Sequence, residues 1–264
     1  MTASGATFSR EWLALREPLD AQARDAELTR RFVAALPAHP RLLDLAAGSG
    51  ANFRYLAPRF GGAQDWLLVD KDAALLAAAR SDAPSCCVSC RALDLARDLG
   101  RLDFGAFDGI AANALLDLVS AAWLDDFAGR IAAARRPLLV TLSVDGRAEW
   151  RPAAPEDALI AAAFACHQAR DKGFGPALGA AAAGHLAQRL TAAGYEVAMR
   201  RSDWRLGPGA ALEAVIEGMA GAAREAMPDR AAAIAAWAER RRAQAREGAL
   251  SLRLGHVDLF GAPR

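Results

Sequence analysis

Several things are scarce in this 264-residue chain, and each scarcity argues against a class of function. No apolar stretch approaches the ~20 residues that a membrane span requires. The N-terminus lacks the apolar h-region of a signal peptide, so a cytoplasmic location is expected. Charge of one sign is not in excess: 32 Lys and Arg stand against 31 Asp and Glu, for a formal net charge of +1. The two signs are interspersed, without the cationic stripe that neutralises a phosphate backbone, and no nucleic-acid partner is expected. The run Glu239-Arg-Arg-Arg-Ala-Gln-Ala-Arg-Glu reads as one solvated helix face. Cysteine is confined to Cys86, Cys87, Cys90 and Cys166, which fits a reducing compartment. Their spacing is not that of paired Cys-x-x-Cys zinc ligands and no histidine lies near in sequence. They read as buried small apolar side chains, and no metal is expected. A Gly-Lys-Ser/Thr phosphate loop, an internal repeat and a low-complexity linker are all missing. A chain of this length is most simply one domain with an embellishment.

What is present is more specific. Arg41-Leu-Leu-Asp-Leu-Ala-Ala-Gly-Ser-Gly50 reads as a buried strand that turns sharply into a helix. Small residues at 46, 47, 48 and 50 let a ligand approach the backbone, and the helix N-terminus beyond offers unpaired N–H groups. About twenty residues on, Trp66-Leu-Leu-Val-Asp70 reads as a second strand closing on a carboxylate, which in nucleotide-binding α/β folds hydrogen-bonds ribose hydroxyls. The pair points to a cofactor carrying an adenosine. A dinucleotide fingerprint would need a third small residue where Phe53 stands, and a bulky residue there opposes close helix–sheet packing.

Read coarsely, strands and helices alternate as a doubly wound α/β sheet requires. Strands are expected at Leu42–Ala46, Trp66–Val69, Cys86–Arg91, Asp108–Ala112, Pro137–Ser143, Tyr195–Arg200 and Ser251–Phe260. Helices are expected at Ala51–Arg59, Asp72–Arg80, Ala121–Ala134 and Gly184–Ala193, the third with Trp123, Leu124, Phe127 and Ile131 at helical spacing. Arg147–Pro176 reads as an inserted segment, and Ala210–Arg246 as an Ala-rich helical region interrupted at Pro228. Pro18 suits the first position of a helix, which places a helix start there.

An acidic residue in the first strand, a small-residue turn and an acidic residue ending the second strand together resemble the class I S-adenosylmethionine-dependent methyltransferases. Their motif, Asp/Glu-x-Gly-x-Gly-x-Gly, is matched by Asp44-Leu-Ala46-Ala-Gly48-Ser-Gly50, with Ala46 in place of the first glycine. The resemblance covers most of residues 40–145. It implies an α/β, Rossmann-like, doubly wound seven-stranded sheet whose last strand enters antiparallel between two others; this chain is read with helical insertions after the fifth and sixth strands, the second of them where the family often has a simple hairpin. The chain 1–264 would then be a single methyltransferase domain. Its parts are an N-terminal helical lid (1–38), a cofactor-binding core (39–145), an acceptor-site insertion (146–180) and C-terminal helices with the last strands (181–264).

The resemblance also implies S-adenosyl-L-methionine as cofactor and assigns residues to it. Asp44, Ala46, Gly48 and Gly50 form its loop, and Asp70 with Lys71 and Asp72 covers the ribose. Asp94 accepts from the adenine amino group while the Leu95 N–H donates to the ring. Asn113 lies against the methionine portion. Arg16, with Asp20 and Arg24, reaches the methionine carboxylate or the acceptor, or else forms a solvated i,i+4 pattern. Asp94 and Asp117 also suit turn or capping chemistry.

The acceptor is expected at His167-Gln-Ala-Arg-Asp-Lys-Gly-Phe-Gly-Pro-Ala-Leu-Gly179, where glycines beside a lysine and an aromatic suit a loop that conforms to a ligand. If a helix extends that far, Asp171 stands one turn from His167 and can orient its imidazole as a general base. Lys172, Phe174, Asp117 and Trp204 are the expected substrate-binding residues, and His256-Val-Asp258 reads as structural. The implied reaction is in-line methyl transfer to a small-molecule acceptor at oxygen or nitrogen, the protein supplying proximity and orientation. A non-catalytic S-adenosylmethionine-binding module and an NAD(P)-dependent oxidoreductase are the alternatives. Region 210–246 could be a homodimer surface or a cover for the sheet.

Overall fold

The computed structural model describes residues 9–79 and 85–264. Two helices come first: α1 (Arg10–Ala23), capped by the Ser9 hydroxyl on the Trp12 amide, and α2 (Ala26–Ala34), capped by the Asp25 carboxylate on the Leu28 amide. Pro18 is therefore not a helix start. It lies inside α1 on an exposed face, where its missing N–H leaves the Ala14 carbonyl without an intrahelical donor; the Ser9 cap, not the proline, sets the boundary.

The nucleotide-type core then follows the expected alternation. It runs β1 (Arg41–Leu45), α3 (Ala51–Leu56), β2 (Gln64–Asp70), α4 (Ala73–Ala78), β3 (Cys86–Ala92), the short α5 (Leu95–Asp98), β4 (Gly109–Asn113), α6 (Ala121–Ala134) and β5 (Leu138–Arg151). The expected end of the second of these helices, Arg80, falls outside the described residues. The remainder is α7 (Asp157–Gln168), α8 (Ala182–Ala192), β6 (Tyr195–Arg201), β7 (Trp204–Leu206), α9 (Ala210–Ala226), α10 (Ala231–Arg246) and β8 (Ser251–Pro263).

The strands form one sheet in the order β3-β2-β1-β4-β5-β8-β6, with β7 added to β8. β1 to β5 run parallel, and β8 enters antiparallel to both β5 and β6. This is the seven-strand pattern expected, plus an eighth short strand. Neighbouring β1 and β4 feed connections to opposite edges of the sheet, so a ligand crevice belongs outside their carboxyl ends.

Three sequence expectations need correction. β5 does not stop at Ser143: two register shifts bend it, with Leu142 at φ +56°, and it keeps pairing with β8 as far as Arg151–Ser251. The inserted segment therefore leaves the sheet only after Arg151. The cysteines are not buried: Cys87, Cys90 and Cys166 are exposed and Cys86 is half-buried, because β3 is an edge strand and Cys166 faces out from α7. No metal-binding cluster of His, Cys, Asp and Glu occurs among the described residues. The Arg-rich run is not wholly solvated either, since Arg241 is fully buried and paired with Asp157.

One face of the sheet packs Val69, Ile110 and Val140 against α6 and α8; the other packs Leu42, Leu68 and Ala111 against α2 and α3. A further core, centred on Trp150, Ile216 and Trp237, joins α7, α9 and α10 to β7 and the far ends of β5 and β8. Among the described residues no helix is long and apolar enough to cross a membrane.

Candidate functional site

A cleft enclosing about 1080 Å³, part of it open to solvent, lies at the carboxyl ends of β1, β2 and β4. Its floor is the turn after β1. Ala46 (φ +52°), Gly48 (φ +53°) and Gly50 (φ +84°) all take left-handed backbone, which lets the chain reverse within a few residues. Among the described residues, a Cβ built on Gly48 would meet only Leu13 Cδ1, at 3.7 Å, so this position keeps the backbone open toward the cleft. A Cβ on Gly50 would lie 2.9 Å from that of Ala79, so here glycine permits close packing of the segment after α4. Phe53, at the third position, is fully buried and meets Trp66 edge-on at 5.2 Å.

Asp70 ties the two halves of the floor. One carboxylate oxygen accepts from the Gly48 amide at 2.8 Å and the other from the Asp72 amide at 2.9 Å. Each oxygen retains a second acceptor position, and the residue lines the cleft. Lys71 and Asp94 line it too, Asp94 while capping α5 through the Ala96 amide; beside them is Leu95, whose carbonyl accepts from the Trp123 indole at 2.7 Å.

Asp44 is placed differently from its neighbours in the motif. It is fully buried beneath the turn and does not line the cleft. One of its oxygens accepts from the Asn52 amide at 2.6 Å, and the other has no partner among the described residues. Burial raises its pKa to about 7 against the opposing pull of Asn52 and Arg24. Arg24 donates to the Asn52 carbonyl oxygen at 2.8 Å and stacks over Tyr55, so it braces this buried group and does not enter the cleft.

The roof is α1. Glu17 receives two bonds from Arg54, at 2.7 and 2.6 Å, and Arg10 bonds the Ala74 carbonyl at 2.7 Å; together they hold Leu13, Arg16 and Asp20 over the cleft. Asp20, 2% exposed, gathers donors from three elements: Arg16 at 3.1 Å, Asn113 at 3.2 Å and the Trp204 indole at 3.1 Å. Asn113 in turn accepts from Thr141 at 2.9 Å. Trp204 is thus a support for α1 and not a cleft wall. Its ring lies between Arg16, 5.1 Å away, and His256, whose pKa burial pushes down to about 4.

The far end is closed by Lys172 and Phe174, the latter edge-on to Trp123 at 5.5 Å. The His167–Asp171 pair does not form. α7 ends at Gln168, and the Asp171 carboxylate turns to the Gly173 and Gly175 amides at 2.6 and 2.8 Å, where it shapes a loop. His167 faces Glu225 at 3.2 Å and Lys172 at 3.4 Å, outside the cleft lining. Asp117 lies buried behind the cleft, and burial raises its pKa to about 6. Leu13, Asn52 and Leu75 were not legible as site residues. Leu13 and Leu75 look like ordinary helix apolars, and only the tertiary contacts of Asn52 with Asp44 and Arg24 reveal its role.

No protein-family model matches the chain, and no curated protein matches it. Solved structures do. A protein from Bacillus halodurans named as a candidate methyltransferase is 14% identical, over 90% of this chain and 98% of its own, with a TM-score of 0.53. A cyclopropane synthase from Mycobacterium tuberculosis is 12% identical over 97% and 94%, with a TM-score of 0.51. A cyclopropane-fatty-acyl-phospholipid synthase-like protein from Lactobacillus casei is 15% identical over 96% and 100%, also at 0.51. At such identities the likeness lies in the fold, and with the strand order it makes the architecture of this chain the Rossmann-like methyltransferase fold.

Proposed function

We propose that this chain catalyses S-adenosylmethionine-dependent methyl transfer to a small-molecule acceptor, at oxygen or nitrogen. The observation that carries the reading is the joining of Asp70 to the Gly48 amide at the floor of a cleft where the connections leaving β1 and β4 diverge. The residues present fit the cofactor. The backbone at Gly48 is uncovered, Asp70 keeps acceptor positions for two ribose hydroxyls, and Asp94 with the Leu95 amide suits an adenine edge. Arg16 and Asn113, gathered on Asp20, would hold the methionine end.

When bound, the cofactor supplies an electrophilic methyl group on a sulfonium. The chain's own part is to orient both reactants and exclude water, with Leu13 on α1 above and Phe174 at the end. Asp44, buried beneath, keeps the turn in shape through Asn52. The reading goes with a cytoplasmic enzyme acting on a small acceptor and not on nucleic acid. Phe53, buried where a dinucleotide fingerprint needs a small residue, favours this cofactor over NAD.

Calorimetric titration with S-adenosylmethionine, S-adenosylhomocysteine and NAD tests it, with Asp70→Ala as control. Micromolar binding of both sulfur ligands, lost in the control and absent for NAD, is the expected result. NAD binding alone overturns it. Binding without turnover of any acceptor turns the reading to a sensing module.

A further inference from the structure

A second hollow lies beside the cleft, between α1 and α3. It encloses about 700 Å³, part of it open to solvent, and it adjoins the cleft, since Asp20 and Ala51 line both. Three arginines reach it from two directions: Arg24 at the C-terminal end of α1, Arg54 on α3 and Arg59 in the turn that follows α3.

The two carboxylates of the hollow are already engaged. Glu17 takes both of its bonds from Arg54, at 2.7 and 2.6 Å, while Arg54 also donates to the Ser49 carbonyl at 2.6 Å. Asp20 holds Arg16, Asn113 and Trp204. Arg24 and Arg59 are left over: among the described residues neither forms an ion pair. Arg24, only 6% exposed, donates to the Asn52 carbonyl oxygen at 2.8 Å, and its Nε has no partner among the described residues. Asp20, Asp44 and Asp258 act on it through space. Asp44 is turned to Asn52, and Asp258 accepts from the Asp25 and Leu142 amides. Arg59 is exposed and donates to the Tyr55 carbonyl. Both guanidiniums lie against the Tyr55 ring, 4.3 and 3.5 Å from its centroid. The ring attracts each cation, but two like charges held this close are neutralised only by an anion. Buried charge is costly unless paired, so Arg24 in particular calls for one.

We propose that this hollow is a binding site for a phosphate group, held between Arg24 and Arg59 with Arg54 beside them. Guanidiniums fork onto oxyanions, and a tetrahedral dianion meets donors arriving from both elements, where a planar carboxylate meets a single fork. Bound there, the phosphate supplies the charge partner that Arg24 and Arg59 lack and ties α1, the roof of the cleft, to α3, which leaves its floor. The site lies beyond methyl transfer and does not rest on it. Free phosphate, a soluble ester and a lipid headgroup all present this chemistry.

The test uses the full chain without cofactor, at constant ionic strength set with chloride, titrated calorimetrically with inorganic phosphate and with acetate. Co-sedimentation with vesicles of phosphatidylcholine, alone or mixed equally with phosphatidic acid, reads the lipid form. Phosphate should bind at least tenfold more tightly than acetate. Arg59→Met should weaken it by about tenfold or more, the size of one lost charge-assisted bond. Arg59 is exposed, so this variant keeps the test sound even if Arg24→Lys, which disturbs the brace on Asn52, fails to fold. Arg30→Met, an exposed site on α2 paired with Glu27, should leave binding unchanged. Capture by the phosphatidic acid vesicles alone, lost in Arg59→Met, assigns the group to a lipid headgroup. Binding of phosphate in neither form, acetate bound as tightly as phosphate, or Arg59→Met binding like the parent each overturns the proposal. A chain that binds phosphate and ignores S-adenosylhomocysteine would sustain this site while defeating the methyltransferase reading.

Discussion

Arg241→Met tests whether the second core is held by a buried charge. The Arg241 side chain is fully buried and that of Asp157 is 16% exposed, and the pair joins α10 to the start of α7. Arg241 also donates to the Pro152 carbonyl at 2.8 Å and to Gln244 at 3.0 Å, and it lies 5.1 Å from the Trp150 ring. Methionine fills much of the volume but removes the charge. Asp157 is then left with neutral donors only, the Trp237 indole at 2.9 Å and the Ala154 amide at 2.8 Å. Removing one partner of a buried ion pair costs about 3–5 kcal/mol. With roughly 2–4 °C per kcal/mol for a chain of this size, Tm should fall by about 6–20 °C. Adding Asp157→Asn removes the stranded charge and should recover part of the loss, so the two changes are non-additive. Urea denaturation and calorimetry measure the stability, and titration with S-adenosylhomocysteine should show unchanged affinity at temperatures where the variant is folded. A loss under about 1 kcal/mol, the level of an exposed pair, refutes the reasoning.

Two further changes probe the turn. Gly50→Ala forces a side chain onto φ +84° and sets a Cβ 2.9 Å from that of Ala79; a loss of about 1–2 kcal/mol from the left-handed backbone, plus the clash, should appear in urea midpoints together with weaker cofactor binding. Asp44, with its pKa raised to about 7 by burial, holds a proton in the fold that it releases on unfolding. Its contribution to stability is therefore present at low pH and is lost as pH rises from about 4 through about 7. Asp44→Asn should accordingly gain on the parent as pH rises across that window, and denaturation at pH 5 and pH 8 would expose a reversed trend.

The strand–turn–helix at 41–50 and the carboxylate of Asp70 are local patterns: periodicity, small residues and a carboxylate within a few positions. These local patterns were therefore enough to place the parallel core and the cleft at its carboxyl edge, while the antiparallel entry of the last strand came only from the family resemblance. Side-chain partners across long separations were not legible. Asp20 meets Trp204 over 184 positions and Arg241 meets Asp157 over 84, and nothing local distinguishes these residues from solvated charges. His167 and Asp171 show the converse. Their spacing suggested a pair, but the helix ends at Gln168 and backbone amides, being closer, take the carboxylate. What lies along the chain within a turn or a strand was determined by the sequence itself. Which charge is buried, which faces the cleft and which merely supports a helix was decided only by tertiary packing, because desolvation and partner geometry exist only once distant segments meet.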